Sequence, residues 1–277
     1  MEELNLLRKK TGMTIAKAWI LMVSAVLLFI VSVFVVALIS KINKRDISDF
    51  VHTHLSWIMI SVFSVCSLWG FNINKRELPF FQKPSFAIII TCMMIAIAWS
   101  YVSPIVGDLL PFSERESKNV EISAKIEIFL GLLITLIFTV LQIGIIGHGL
   151  LKNYFFKQVL FTVAAVSMVL VVPQAVIGLL FQTVIIFYVY YRTASFQLPL
   201  LMASVLTISE ETFKFLYGDS ITSKNYIRIN FMPNETSYHM GIIACLGIII
   251  GGLYFIKSKT TTIAWQRPEE DENLTFL

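Results

Sequence analysis

The stretch TIAKAWILMVSAVLLFIVSVFVVALIS, residues 14–40, decides the fold class. It is almost wholly apolar and longer than the roughly 20 residues that an α-helix needs to cross a bilayer. It also exceeds the apolar part of a signal peptide, and its ending, VVALISKINK, has no small-x-small cleavage site. We therefore expect this stretch to stay in the protein as a membrane-spanning helix.

The composition extends this interpretation to the whole chain. Hydrophobic residues make up 56% of the 277 residues and charged residues 14%, far from the balance of a soluble domain. Further apolar segments cover residues 55–71, 85–106, 126–151, 159–172, 174–191, 197–208 and 240–256. The sequence predicts an all-α, polytopic integral membrane protein with about eight transmembrane helices, of which the fifth and seventh are short.

Lysine and arginine are divided unequally between the connections. If the N-terminus lies inside, the larger share of the 22 basic residues also lies inside. Basic residues favour the cytoplasmic side, so we expect both termini in the cytoplasm. This divides the chain into a cytoplasmic N-terminus (1–13), a single transmembrane helical domain (14–256) and an acidic cytoplasmic tail (257–277).

Charge and cysteine usage narrow the expected partners. The net charge of +4 comes without a dense basic cluster, so we expect the lipid bilayer and no nucleic acid as a partner. Cys66, Cys92 and Cys245 each lie inside an apolar run, with no spacing typical of a metal site or a disulfide framework. We expect no metal and no cofactor.

Ionisable residues in the apolar segments are the candidate functional residues, because burying a charge in lipid is costly. His148 ends the fourth segment, and two interpretations stay open: a neutral, hydrogen-bonded histidine and a functional one. Glu210 and Glu211 follow the seventh segment, in LTISEETFKF. Adjacent helix positions point about 100° apart, whereas Glu210 and Lys214 face each other. This favours a solvated helix end over a catalytic pair.

The sequence YYRTASFQLPLL, residues 190–201, resembles a turn of the CPBP family, the membrane proteins grouped as CAAX-processing proteases and bacteriocin-processing or self-immunity (Abi) proteins. In that family an apolar helix ends in Arg-Thr-Gly-Ser, and an apolar-Pro stretch opens the next helix. Arg192, Thr193 and Pro199 match this pattern, while Ala194 replaces the glycine. The resemblance implies a structural turn here, an eight-helix bundle and a bacterial cytoplasmic membrane.

The family's catalytic residues have no counterparts in this chain. The family carries Glu-Glu-x-x-x-Arg on its fourth helix, Phe-x-x-x-His on its fifth and His-x-x-x-Asn on its seventh. The replacing residues are Ile143, Gly144, Met168, Val172, Ala203 and Thr207. None of them can act as a general base. The resemblance thus implies a pseudoenzyme that binds a membrane peptide or partner protein in an immunity, chaperone or assembly role.

Two alternatives stay open. EETFK resembles the Glu-Glu-x-x-Lys element of the PrsW proteases, although a single span follows it here, without an acidic or basic residue in 240–256. A small transporter or channel is the other alternative. Its features would be the glycines of GIIGHG and GIIIGG, which are also typical of close helix packing.

We predict that the Glu210→Gln and Glu211→Gln variants keep the function of the protein. If these residues finish a helix, each change should cost less than about 1 kcal/mol, as for exposed ion pairs. A general base converted to an amide would instead lose at least roughly 10²-fold in rate. The measurement is complementation of a deletion strain, with membrane abundance followed by immunoblot. Normal abundance with lost complementation would favour a protease.

Overall fold

The protein is described by a computed structural model that covers residues 11–44, 46–107, 124–170, 176–217, 234–261, 263 and 265. Within these residues the chain is helical, apart from short connections and one isolated antiparallel bridge between Phe81 and Ser195. The described part is therefore an all-α bundle, as predicted.

Within the described residues, each apolar segment of the sequence coincides largely with helix. The elements are α1 (Ile15–Ile42), α2 (Ile47–Ile73), α3 (Phe86–Gly107), α4 (Ala124–Thr139), a π-helical segment (Val140–Gly147), α5 (His148–Leu151), α6 (Phe156–Ser167), α7 (Val176–Thr193), α8 (Gln197–Tyr217) and α9 (Glu235–Lys259). The π segment joins α4 to α5 without a break, and a 3₁₀ turn (Met168–Leu170) ends α6.

Six helical stretches of the described chain are long and apolar enough to cross a membrane. They are Ile15–Ile42, Thr53–Ile73, Phe86–Ser103, Ile128–Leu151, Val176–Thr193 and Thr236–Lys259. The two remaining apolar helices, Phe156–Ser167 and Gln197–Ser209, are shorter, which agrees with the short fifth and seventh segments. The protein is a helical membrane bundle, and the total of eight crossings stays a prediction.

Helix α1 shows how the bilayer replaces water as the surrounding solvent. Its first turn is capped by Thr14, whose hydroxyl accepts a hydrogen bond from the Lys17 backbone N–H at 3.2 Å. A narrow stripe of small and medium residues, including Ala18 and Ala25, is buried against the bundle. Large apolar side chains such as Phe34 remain exposed on the other faces. A helix that is apolar all round is expected where lipid covers the exposed faces.

Helices α7 and α8 are joined by a tight turn. Thr193 donates its hydroxyl to the Val189 carbonyl at 2.8 Å and accepts the Ser195 backbone N–H at 3.3 Å. Ala194 then takes a φ of 47°, in the left-handed region that favours glycine. Pro199 lies in the first turn of α8, where a missing backbone N–H removes no helical hydrogen bond.

Five connecting segments meet at one end of the bundle, which we call the basic end. It consists of residues 11–14, 74–85, 152–155, 194–196 and 260–265 without the undescribed 262 and 264. Hydrogen bonds and an ion pair link these segments to one another and to neighbouring helix ends. The C-terminal ends of α5 and α7 both lie at the basic end. The chain therefore leaves this end through α6 and returns to it through α7.

We predict that position 194 tolerates glycine but not valine. Ala194→Gly relieves a conformation that costs an L-residue about 1–2 kcal/mol and removes a buried methyl worth about 0.8 kcal/mol. The free energy of unfolding should therefore change by less than about 1 kcal/mol. Ala194→Val should lower it by about 2 kcal/mol or more, because a β-branched residue resists positive φ.

The measurement is unfolding by dodecyl sulfate in mild detergent micelles. The control is Ala87→Val on α3, where the residue is exposed and helical, so that the same added volume meets lipid or detergent. If valine is tolerated equally at both positions, the left-handed turn is not a constraint on the fold.

Candidate functional site

One group of buried polar side chains lies at the basic end. Asn74 and Glu77 follow the end of α2. His148 is the first residue of α5, Lys152 comes directly after α5, and Tyr190 belongs to the last turn of α7. We call these five residues the histidine cluster. Asn74, His148 and Tyr190 have no exposed surface, and Lys152 is 3% exposed. A group of polar residues this deeply buried needs mutual hydrogen bonds to be stable.

The centre of the cluster is a hydrogen bond between His148 and Tyr190. The phenol oxygen of Tyr190 lies 2.8 Å from Nδ1 of His148 and accepts the Phe80 backbone N–H at 3.3 Å. If the Tyr190 hydroxyl donates to Nδ1, the phenol both donates and accepts, and the imidazole proton is on Nε2. His148 is thereby tied to α7 and to the α2–α3 connection at once.

Lys152 and Glu77 form a salt bridge one helical turn beyond His148. The ammonium group of Lys152 also lies 5.1 Å from the centroid of the Phe80 ring. A buried ammonium is stable only beside a countercharge, and Glu77 supplies it from a position that is 23% exposed. The pair thus fastens the α2–α3 connection over the end of α5.

Asn74 brings the end of α2 against the π segment. Its side-chain amide donates to the Ile145 carbonyl at 2.7 Å. The approach is so close that a Cβ at Gly149 would lie 2.5 Å from Oδ1 of Asn74. The Gly149 carbonyl in turn accepts the Thr11 hydroxyl at 2.7 Å. Glycine is required at 149 because the N-terminal segment and α2 both contact the backbone there.

Several polar atoms of this region have no hydrogen-bond partner among the described residues. They are Nε2 of His148, Oδ1 of Asn74 and the hydroxyl of Ser195. Each is buried, and an unsatisfied buried polar atom costs about 1–3 kcal/mol. The basic end therefore retains hydrogen-bonding capacity that its own side chains do not use.

The described residues at the positions that the CPBP resemblance compares with catalytic ones do not form a second polar site. Ile143 and Gly144 lie in the buried π segment, and a Cβ at Gly144 would lie 2.8 Å from the Phe196 ring. No carboxylate side chain fits at that position without moving the ring. Ala203 is buried in α8, and Thr207 donates to the Thr135 hydroxyl at 3.0 Å. Val172 lies outside the described residues.

The residues of the α7–α8 turn are placed around the basic end. Arg192 donates from Nη2 to the carbonyls of Lys257 and Thr260, at 2.9 and 2.7 Å, and from Nε to the Thr260 hydroxyl at 3.2 Å. It therefore caps the C-terminal end of α9, whose last carbonyls have no helical partner. Thr193 and Pro199 shape the turn itself, as described above.

The remaining sequence candidates give no site in the described chain. α8 continues through Glu210 and Glu211 to Tyr217, and the side chains of both glutamates lie outside the described part. Among the side chains that are described, no three of His, Cys, Asp and Glu are grouped to hold a metal ion. A gap lined by Trp99, Gln182 and Met202 is too narrow for a water molecule.

A second unusual surface is the outer face of α9. A Cβ added at Gly247 or Gly251 would meet no atom within 4 Å, whereas one at Gly252 would lie 2.8 Å from Ile95 on α3. Only 11% of the most apolar 18-residue stretch of α9 is buried inside the bundle, against 44% of the corresponding stretch of α7. α9 thus packs on α3 through one side and leaves its two small residues, four apart, open on another.

Sequence reasoning singled out His148 but missed most of its partners. Asn74, Glu77 and Lys152 each follow an apolar segment, where a polar residue is expected at any membrane interface. Nothing in their spacing shows that three segment ends meet. The sequence around Tyr190 indicates only a turn, because the contact with His148 depends on the rotation of α7 relative to α5.

We predict that Tyr190→Phe destabilises the basic end. The change removes one oxygen and leaves Nδ1 of His148 and the Phe80 N–H without their partner. The free energy of unfolding should fall by about 1–3 kcal/mol. The control is Tyr254→Phe on α9, where the ring is 71% exposed. Dodecyl sulfate unfolding of both variants checks this, and equal effects would mean that the hydrogen bond contributes nothing.

The arrangement fixes a histidine, a tyrosine and an ion pair in a buried position, and it places no described carboxylate in hydrogen-bond contact with the imidazole. Such a cluster can hold a polar group but does not by itself activate water in the way that a glutamate base does. Comparisons with protein-family models, with curated proteins and with solved structures find no match for this chain.

Proposed function

We propose that this protein is a non-catalytic, CPBP-like membrane protein that binds a partner transmembrane helix along the open face of α9. The observation that carries the proposal is the pair of uncovered glycines, Gly247 and Gly251. The proposed role is that of an immunity, chaperone or assembly protein in a bacterial cytoplasmic membrane, with both termini in the cytoplasm.

The open face is suited to a second helix. In lipid, helices associate through close backbone contact, and two small residues four apart allow that contact. Ala244 precedes them on the helix and is exposed, and α9 has no charged residue from 240 to 256. Large side chains at Ile243 and Ile250, 63% and 68% exposed, flank the small residues. Together they form a shallow groove that fits an apolar helix with small residues of its own.

The other glycines of the bundle support this interpretation by contrast. Those at 70, 144, 147, 149 and 252 all lie where a Cβ would come within 3.0 Å of another residue. At these positions the glycine is explained by packing inside the chain. At Gly247 and Gly251 internal packing gives no explanation, and a partner outside the chain supplies one.

The lack of a base at the family's positions supports binding over proteolysis. Ile143 and Gly144 are packed into the π segment, and Gly144 faces the Phe196 ring. Restoring a glutamate there would require repacking of the turn between α7 and α8. The orientation is supported by the basic end, which joins segments that the sequence assigns to the cytoplasm.

We predict that Gly247→Leu and Gly251→Leu abolish binding of the partner while leaving the bundle intact. Both leucines would point away from the rest of the chain, so the stability of the isolated protein should change by no more than about 0.5 kcal/mol. The control is Ala87→Leu, which adds a leucine to the exposed surface of α3.

The measurement is photo-cross-linking in native membranes from a photoreactive residue at position 244. We expect a defined adduct, identified by mass spectrometry, that the Ala87→Leu chain keeps and the two glycine variants lose. An adduct unaffected by both leucines would contradict the site. An adduct of two copies of the chain would show self-association instead. A cleaved partner, with cleavage lost in Glu210→Gln, would show a protease.

A further inference from the structure

The C-terminal segment beyond α9 ends its described part in an aromatic pocket at the basic end. The indole nitrogen of Trp265 donates to the Tyr191 carbonyl at 3.1 Å, and the indole stacks on the Tyr191 ring with centroids 6.4 Å apart. Phe80 and Tyr190 lie at centroid distances of 5.8 and 5.6 Å. The indole is 4% exposed, so the pocket encloses it almost completely.

The same indole covers the histidine cluster. Its ring lies edge-on to the imidazole of His148, with centroids 6.1 Å apart and planes at 77°. Phe80 packs against another side of the imidazole at 4.8 Å. His148 has no exposed surface in this arrangement. Trp265 is therefore one wall of the enclosure around His148.

That wall belongs to no helix. α9 ends at Lys259, and Arg192 holds its end through the carbonyls of Lys257 and Thr260. Trp265 lies beyond this anchor and is itself outside any helix, so its side chain can leave the pocket without breaking a helical hydrogen bond. Of the other walls, Tyr190 and Tyr191 are parts of α7, and Phe80 belongs to the connection between α2 and α3.

The closed arrangement also has a cost. Nε2 of His148 is buried and has no partner among the described residues. Opening the pocket to water would satisfy this nitrogen, whereas closing it buries the apolar indole. The two effects oppose each other, so the closed arrangement is less stable than burial of the indole alone would make it.

From these contacts we propose that Trp265 is a removable plug in a receptor pocket for an aromatic side chain, and that its departure opens His148 to solvent. The occupant in the resting protein is the chain's own Trp265. A peptide with an indole side chain can bind in the same pocket. The pocket recognises an indole through an aromatic wall and through a backbone carbonyl that accepts the indole N–H.

The test uses the full-length chain with Cys66, Cys92 and Cys245 replaced by alanine and with His148→Cys as a reporter. The rate of modification by a small polar thiol reagent is measured in detergent micelles. Trp265→Ala should raise this rate at least about 10-fold, because the reporter becomes accessible without a prior opening step. Trp265→Phe, which keeps an aromatic ring, should raise it less. Tyr254→Ala is the control for loss of an exposed aromatic side chain, in this case from α9.

A second arm tests the pocket as a receptor. The peptide TTTIAWQRP, residues 260–268, is added to the Trp265→Ala chain, and it should restore slow modification of Cys at position 148. The same peptide with alanine at the tryptophan should not. Equal modification rates with and without Trp265 would overturn the plug. Failure of the tryptophan peptide to slow modification would overturn the receptor pocket.

The reporter could also be affected by loss of the His148 side chain itself. The arms are therefore repeated with Ser195→Cys, another buried position at the basic end, in a chain that keeps His148. We expect Trp265→Ala to raise the modification rate more for the cysteine at position 148 than for the one at position 195, because Trp265 contacts the imidazole. A larger effect at 195 would mean that the whole end has loosened, which contradicts a local plug.

Discussion

A backbone amide in hydrocarbon has no water to bond to, and this constraint shapes the whole protein. It forces the apolar segments into helices and moves the irregular backbone to the bundle ends. At the basic end the constraint acts between neighbouring segments. The polar groups of the connection after α2, the end of α5 and the turn after α7 must find hydrogen-bond partners in one another. Asn74, Lys152 and Arg192 do so by bonding to carbonyls and a carboxylate of neighbouring segments. The histidine cluster results from these hydrogen bonds and the ion pair between segments.

The π segment sets the register of this assembly. An i→i+5 turn widens the helix and rotates everything after it, and such segments are common at functional sites. Here it lies directly before His148 and is buried throughout, with Gln142 bonded to Thr183 at 3.1 Å. The rotation that follows Gly147 is what presents His148 to Tyr190 and Gly149 to Asn74. Close packing of Gly144 on Phe196 explains why this position cannot also hold a catalytic carboxylate.

The sequence was sufficient to predict the helices but not the contacts between them. Hydropathy predicted the six helices that are long and apolar enough to span a membrane, because length and apolarity can be read from a single segment. α8 continues to Tyr217, nine residues beyond the apolar segment that predicts it. The π segment was not predicted, since VLQIGIIG has the composition of any buried helix. Nor could composition show which glycines are enclosed and which are open, because that depends on how α9 lies against α3. The number of crossings and the resemblance to the CPBP family stay predictions.

The links across the basic end have a consequence for biosynthesis. Thr11 bonds to the Gly149 carbonyl, 138 residues further along the chain. At about 5–20 residues per second, the N-terminal segment leaves the ribosome on the order of ten seconds before its partner. Trp265, which covers His148, is translated later still. During insertion the basic end therefore stands open at the membrane surface, and it closes only after α9 has entered the bilayer.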